Sequence, residues 1–351
     1  MTATTRAGQD RDEHRGPALR VEDLRVAYGS TEVVRGVDLV IRPGEKVGIV
    51  GESGSGKSTL ALAVMGLLAP GGVVGGGSVH LLGHAIDYGD EKGLNRLRGS
   101  EMSLVFQDPL TSLDPVKSIG AQIGEVLRRH HPGMRSAAVR ARAVELLAGV
   151  GVPDPAERLK QYPHEFSGGM RQRVLIAIAI ANDPAVLIAD EPTTALDVTT
   201  QAQVMDLLDS LVDRLGIAVV LVTHDIGLVS EFCDRVLVMY AGRVVEELPT
   251  ASMFTGSAHP YTGALLDSLP VPGRVRGGEL SWIPGAPPAL TDLPTGCAFA
   301  PRCSWALPVC REGLPPRAVL DVGAGGRHVA ECVRAEEVLV ARRRAEEDAD
   351  V

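Results

Sequence analysis

Gly51-Glu52-Ser53-Gly54-Ser55-Gly56-Lys57-Ser58 is the stretch on which the fold of this chain turns. It follows the short apolar run Lys46-Val47-Gly48-Ile49-Val50 and leads into a segment from Ser58 to Leu68 that favours helix. Strand, glycine-rich loop and helix in this order are the context that a phosphate-binding loop requires. Small residues let main-chain N–H groups curl around phosphate oxygens, and the helix N-terminus adds the positive end of its dipole. Lys57 is placed to reach the outer phosphates and Ser58 to offer its hydroxyl to Mg²⁺, with Gly51, Ser53, Gly54, Ser55, Gly56 and Thr59 completing the nucleotide contacts.

Working outward, residues 18 to 42 alternate apolar and polar side chains (Leu19, Val21, Leu24, Val26, then Val33, Val37, Leu39, Ile41), the period-2 pattern of half-buried antiparallel strands. Beyond the loop, the glycine-rich run 71–77 is expected to lead to a short strand, Val79 to Leu82. Arg98 to Phe106 reads as a further strand ending at Gln107. From Ser112 to Pro163 the apolar spacing is helical (Ile119, Ile123, Val126, Leu127; Val139, Val144, Leu147, Val150), broken by Pro132, Pro153 and Pro155. Val186 to Ala189 and Ile217 to Thr223 are strongly apolar strands, each preceded by a helix, and Arg235 to Tyr240 follows. Such alternation implies a mostly parallel, buried sheet.

The expected fold class is therefore α/β: a phosphate-loop NTPase core with a mostly parallel sheet, an antiparallel β subdomain, an inserted helical subdomain at about 108–170, and a small irregular C-terminal extension containing cysteines. The expected boundaries are a disordered N-terminus at 1–17, a nucleotide-binding domain at 18–255, the extension at 256–333, and a charged tail at 334–351 that reads as a solvated helix. The extension opens where proline accumulates: Pro270, Pro272, Pro284, Pro287, Pro288 and Pro294.

Val186-Leu-Ile-Ala-Asp190-Glu191 places two carboxylates at the carboxyl end of a buried strand, the edge where open α/β sheets bind ligands. Adjacent acids repel there unless a cation or water sits between them. Asp190 is the natural Mg²⁺ partner, and Glu191 is placed to orient or deprotonate an attacking water.

Composition narrows the function. The 351 residues carry a formal charge of −9 and only 3% aromatics. A broad electrostatic grip on nucleic acid and base-stacking platforms are both disfavoured. The first sixteen residues lack an apolar stretch, and the longest unbroken apolar run is Val174 to Ala181, far short of the roughly 20 residues that a spanning helix needs. The expectation is a protein on the cytosolic side whose contact with membrane is indirect.

Phe166-Ser167-Gly168-Gly169-Met170-Arg171-Gln172 precedes a helix, where a serine cap followed by glycines makes an anion site. With this segment the chain resembles the nucleotide-binding subunits of ATP-binding cassette transporters, whose signature usually reads Leu-Ser-Gly-Gly-Gln; Phe166 and Met170 depart from it, while Ser167, Gly168 and Gly169 agree. The resemblance implies further roles. Gln107, ahead of Asp108-Pro109, matches the glutamine that senses Mg²⁺ and water. Ala195-Leu196-Asp197 matches the loop that crosses the dimer interface. His224 matches the switch histidine that bonds the γ-phosphate, and Tyr28 the aromatic that stacks on adenine. In the family, the signature of one subunit closes over ATP held by the phosphate loop of another. The resemblance therefore implies a second ATP-binding subunit, two membrane permease subunits and, indirectly, an extracytoplasmic substrate-binding protein, with this chain peripheral on the cytoplasmic face of the membrane and no nucleic acid partner.

Four of the five cysteines follow the spacing Cys297-x5-Cys303-x6-Cys310-x21-Cys332. This is not a paired zinc-ribbon pattern, yet four thiolates could converge on one tetrahedral or cubane site, or stay reduced and unliganded. The sequences around them, and Ala258-His259-Pro260-Tyr261 upstream, resemble the C-terminal extension of oligopeptide and dipeptide importer ATPases. That resemblance implies a [4Fe–4S] cluster as a brace or a redox element. Cys233 reads as a small buried hydrophobe.

The resulting reading is an ATP-hydrolysing importer subunit, for di- or oligopeptides, that uses ATP and Mg²⁺ and drives a separate permease. The alternatives are import of nickel or another small solute, and a soluble cassette ATPase acting on nucleic acid or ribosomes.

Overall fold

The computed structural model describes residues 16–194, 196–269, 282–321 and 326–347. Most of the N-terminal segment expected to be disordered, Ala195 of the expected interface loop, Pro270 and Pro272, and residues 348–351 of the charged tail lie outside these ranges.

Among the described residues, two sheets are formed. The first is antiparallel, in the order β2-β1-β4-β5, from β1 (Leu19–Tyr28), β2 (Thr31–Ile41), β4 (Gly72–Leu81) and β5 (His84–Ala85). The second has eight strands: β3 (Lys46–Val50), β6 (Met102–Val105), β7 (Val186–Asp190), β8 (Ala218–Val222), β9 (Arg235–Tyr240), β10 (Arg243–Pro249), β11 (Arg317–Leu320) and β12 (His328–Glu331), in the order β11-β12-β10-β9-β3-β8-β7-β6. From β9 to β6 every pairing is parallel. The outer strands β10, β12 and β11 pair antiparallel.

The helices are α1 (Lys57–Val64), α2 (Glu91–Leu97), α3 (Ile119–His130), α4 (Ser136–Gly149), α5 (Gly168–Ala179), α6 (Val198–Leu215), α7 (Ile226–Phe232), α8 (Pro260–Asp267) and α9 (Ala335–Glu347), with shorter turns between them. Helices α3 and α4 form the inserted subdomain. The central strands are apolar throughout because both faces are covered. Ile49, Val220, Val222, Leu237 and Met239 pack on one face with Leu60 and Val64 of α1 and with the antiparallel sheet. Val219, Leu221, Val236 and Val238 turn to the other, against Val174 and Ile176 of α5 and Leu208 and Leu211 of α6. Each such fully buried side chain contributes about 1.5–3 kcal/mol of transfer free energy. Cys233, buried beside α7, packs in the second of these cores, as a small hydrophobe should.

Four local expectations are revised. The glycine run at 72–77 is itself strand: it opens β4, where a register shift on β1 between Glu22 and Arg25 brings the carbonyl oxygens of Glu22 and Asp23 within 2.4 Å of where a Cβ on Gly77 would stand. Only glycine fits that bulge. The strand before Gln107 is shorter than expected, since α2 occupies residues 91–97 and pairing begins at Met102. The C-terminal extension is less irregular than its prolines suggest, because β11 and β12 form a hairpin that joins the main sheet through β10, with Glu246 opposite Ala330 and Glu247 opposite Val329. Helix α9 is docked, not merely solvated: Ala335 and Leu339 pack on Ala258, Leu320 and Ala330. Its Arg342 donates to Asp267 Oδ1 at 2.6 Å and to Gly263 O at 2.9 Å.

Candidate functional site

The parallel strands end along one edge, and the segments that leave them line a cleft of about 590 Å³. Ser53, Gly54, Gly56, Lys57, Ser58 and Thr59 come from the loop between β3 and α1, Gln107 follows β6, Glu191 and Thr194 follow β7, and His224 follows β8. A larger groove of about 760 Å³ beside β4 is lined by glycines, Tyr88, Asp87 and Glu91 and contains no lysine, arginine or histidine. Of the two, only the first offers an anion site.

Gly51 has φ 154°, and a Cβ there would stand 2.1 Å from the carbonyl oxygen of Met239, so the loop can pass the end of β9 only with glycine. Lys57 is buried and donates from Nζ to the carbonyl oxygens of Gly51 and Glu52 at 2.8 and 3.1 Å. Burial draws its ammonium below the usual lysine range, against the opposing pull of Glu191, Asp190 and Glu52. The buried hydroxyl of Ser55 has no partner among the described residues. A ligand that supplied oxygen acceptors here would receive Lys57 and free main-chain donors together.

Ser58 donates from Oγ to Asp190 Oδ1 at 3.0 Å. Burial pushes the Asp190 carboxyl above the ordinary carboxylate range; Ser58 opposes that shift and Glu191 adds to it. Two hard oxygens with room beside them suit Mg²⁺, which takes one or two protein ligands and fills its octahedron with phosphate oxygens and water.

Glu191 has φ 46°, a left-handed conformation strained for a residue with a side chain, and its N–H donates to Val222 O at 2.7 Å. Its Oε2 accepts from Gln107 Nε2 at 3.0 Å and from Thr194 Oγ1 at 2.7 Å, while Oε1 lies 2.9 Å from His224 Nδ1. Burial acts to raise the Glu191 carboxyl, but the bonds from Thr194 and His224 prevail and hold it below its ordinary value. Gln107, Glu191 and His224, drawn from three loops, thus meet in one cleft. Thr194 is the member that sequence reading missed; its only signal was its place three residues after Glu191.

The other expected contacts lie elsewhere. Ser167 is exposed and caps α5 by accepting from Met170 N at 3.3 Å; neither it, Gly168 nor Gly169 lines the cleft. Asp197 caps α6 through Thr200 N at 3.0 Å, also outside the cleft, and Leu196 packs near Gly168. Tyr28 is half-buried at the end of β1 with its ring over Gly72, and it too is absent from the cleft wall.

Cys297, Cys303, Cys310 and Cys332 line one small apolar cavity together with Phe299, Trp305 and Pro260. No three His, Cys, Asp or Glu side chains among the described residues lie close enough to hold a metal ion, so neither the tetrahedral site nor the expected [4Fe–4S] site is assembled in this structure. Each sulfur is instead tied to its own loop by main-chain N–H groups: Cys310 by Leu307 at 3.5 Å, Cys332 by Arg334 at 3.4 Å, Cys297 by Phe299 and Ala300, and Cys303 by Trp305. Burial raises the Cys332 thiol to about 11 and those of Cys297 and Cys303 above the ordinary range.

A lysine on a glycine loop, a serine–aspartate pair suited to Mg²⁺ and a poised glutamate on a doubly covered parallel sheet define a phosphate-loop nucleoside triphosphatase. Residues 34–194 match the ABC transporter family model, and residues 245–310 match the oligopeptide/dipeptide transporter C-terminal region. The oligopeptide transport ATP-binding protein OppD of Salmonella typhimurium is 48% identical over 301 residues, covering 85% of this chain and 89% of its own. A Brucella abortus protein provisionally named as a peptide import ATP-binding protein is 48% identical over 339 residues, covering 92% and 99%. Among solved structures, cbiO1 from Clostridium perfringens, part of the transporter complex cbiONQ, superposes with a TM-score of 0.59 at 33% identity over 68% of this chain and 91% of its own. An ATP-binding cassette dimer in a post-hydrolysis state with ADP and phosphate gives a TM-score of 0.59 at 31% identity, over 66% of this chain and 98% of its own. The chain belongs to the ABC transporter ATPases, in the branch that carries the oligopeptide/dipeptide C-terminal region.

Proposed function

We propose that this chain hydrolyses ATP to drive a peptide importer. The observation that carries the chemistry is the meeting of Gln107, Glu191 and His224 opposite Lys57 and Ser58 in one cleft. Lys57 leaves the Gly51 and Glu52 carbonyls for the β- and γ-phosphates, with Ser53 to Thr59 around them. Ser58, Asp190 and Gln107 would hold Mg²⁺, which would supply charge neutralisation at the phosphates. Glu191, ionised and held by Thr194, accepts the proton of the water that attacks the γ-phosphorus as the bond to the bridging oxygen of ADP breaks. His224, whose Nδ1 meets Glu191 here, turns that donor to a γ-phosphate oxygen when the triphosphate is bound.

The exposure of Ser167 and Gly168 away from their own cleft supports a site completed by a second ATP-binding subunit, each signature closing on the other's nucleotide, with Asp197 at the seam and Tyr28 on adenine. No helix among the described residues is long and apolar enough to cross a membrane. The family match supports reading the chain as a peripheral subunit on the cytoplasmic face, bound to two permease subunits that an extracytoplasmic binding protein serves. The relatives named for peptide and oligopeptide transport favour peptides as the cargo over nickel, and the acidic balance disfavours nucleic acid.

We also infer that Cys297, Cys303, Cys310 and Cys332 hold a [4Fe–4S] cluster. The four sulfurs lining one cavity, each met by main-chain N–H groups, support this reading. Such a group would join the turns that carry Cys297, Cys303 and Cys310 to the end of β12.

The test is uptake of a labelled tripeptide by cells from which the gene is deleted. Complementation by the wild-type chain but not by Glu191→Gln is expected. Undiminished peptide uptake in the deletion strain, with loss of nickel uptake instead, would overturn the cargo assignment.

A further inference from the structure

Glu52 brings a negative charge into the loop that receives a polyanion, an arrangement that by itself repels the ligand. The charge is met from far along the chain. Arg302 donates from Nη1 to Glu52 Oε2 at 2.6 Å and from Nη2 to Oε1 at 2.9 Å, the two-pronged geometry in which guanidinium–carboxylate pairs are strong. Its side chain is only 6% exposed, and its other donors are engaged: Nε with Pro284 O at 2.9 Å, Nη1 also with the Tyr240 hydroxyl at 3.2 Å. The main-chain N–H of Glu52 donates to the hydroxyl of the fully buried Tyr261 at 2.8 Å. Tyr240, Tyr261 and Phe299 form a cluster of tilted and edge-to-face rings with centroids 4.6 to 5.4 Å apart.

Arg302 and Tyr261 therefore fasten both the side chain and the backbone of the second loop residue, and both come from the C-terminal region, beyond the cassette match that ends at residue 194. We propose that Arg302 and Tyr261 are positioning residues of the ATP site, so that the C-terminal extension sets the nucleotide affinity of the phosphate loop. The proposal rests on the reading of that loop as the ATP site. The physical route is through Lys57, which already bonds the Glu52 carbonyl and senses the Glu52 charge. With Arg302 gone, the Glu52 carboxylate is free to hold Lys57 back and to repel phosphate. With Arg302 in place, the carboxylate is neutralised and turned away.

The experiment titrates the full-length chain with Mg·ADP and measures phosphate release from ATP. Arg302→Ala should raise Kd and KM roughly 5- to 50-fold, the span expected when one member of a coupled buried charge pair is removed, with kcat within about twofold. Arg302→Lys should recover part of the loss. The double variant Glu52→Gln/Arg302→Ala should return Kd to within about threefold of wild type, which a purely structural role for Arg302 would not allow. Unchanged affinity in Arg302→Ala, or a double variant as weak as the single one, overturns the proposal. Should Arg302→Ala fail to fold, Arg302→Lys against Glu52→Gln/Arg302→Lys makes the same comparison. A wild-type chain that does not bind Mg·ADP would instead overturn the reading of the loop.

Discussion

Glu191 Oε1 and His224 Nδ1 lie 2.9 Å apart, joining the loops that leave two neighbouring parallel strands, β7 and β8. An ionised carboxylate can only accept, so Nδ1 carries the proton in this contact. His224 is exposed while Glu191 is largely covered, which makes the histidine the movable partner and the glutamate the fixed one. His224→Ala should lower kcat about 10²-fold, the low end of general acid–base effects, and leave Mg·ADP affinity within about threefold of wild type. Loss of binding with kcat preserved would place the histidine in the wrong role.

The Thr194 hydroxyl is part of what holds Glu191 below its ordinary value of 4.5. A base must be ionised to act, so the acid limb of the kcat profile should lie below that value. Thr194→Val removes one of the lowering bonds, and the limb should move upward in pH. In stability terms the sign is the same: a depressed carboxyl stabilises the fold above its unfolded value, and that contribution is lost as pH falls through the folded one. An identical pH profile in Thr194→Val would contradict this.

Asp190 runs the other way. Its folded value is raised above the ordinary 3.8, chiefly by burial, so the ionised form costs stability as pH rises through the folded value. Asp190→Asn should therefore raise the Tm of the nucleotide-free chain by about 1–3 °C at pH 7 while abolishing the further rise that Mg·ATP produces. A variant that still gains stability from Mg·ATP as wild type does would remove Asp190 from the metal site.

Protein purified without oxygen should contain about four irons and four acid-labile sulfides per chain, and Cys303→Ser should lower both. Zinc at one ion per chain, or no metal, would contradict the cluster.

Much of this was legible because the carriers are local. The glycine loop announces itself by lying between a strand and a helix, and Asp190-Glu191 by ending an apolar run. Gln107 and His224 entered through the family resemblance, and they reach Glu191 because parallel strands deliver their carboxyl ends to one edge. The pairing of Glu52 with Arg302 was not legible, since the two lie 250 positions apart and no periodicity links a loop residue to a proline-flanked turn. The β11–β12 hairpin was hidden by its length, four residues a strand, among prolines. The docked face of α9 was masked by its charges, although Ala335, Val338 and Leu339 recur at helical spacing.

The central claim is that the phosphate loop of one subunit and the Ser167 corner of another enclose one nucleotide. Light scattering on the Glu191→Gln chain, alone or after coexpression with a related ATP-binding subunit, reads this directly. Mg·ATP should drive the two subunits into one stable dimer, Mg·ADP should not, and adding Ser167→Arg should abolish the association. A mass that does not respond to Mg·ATP, or a dimer indifferent to Ser167→Arg, would contradict it.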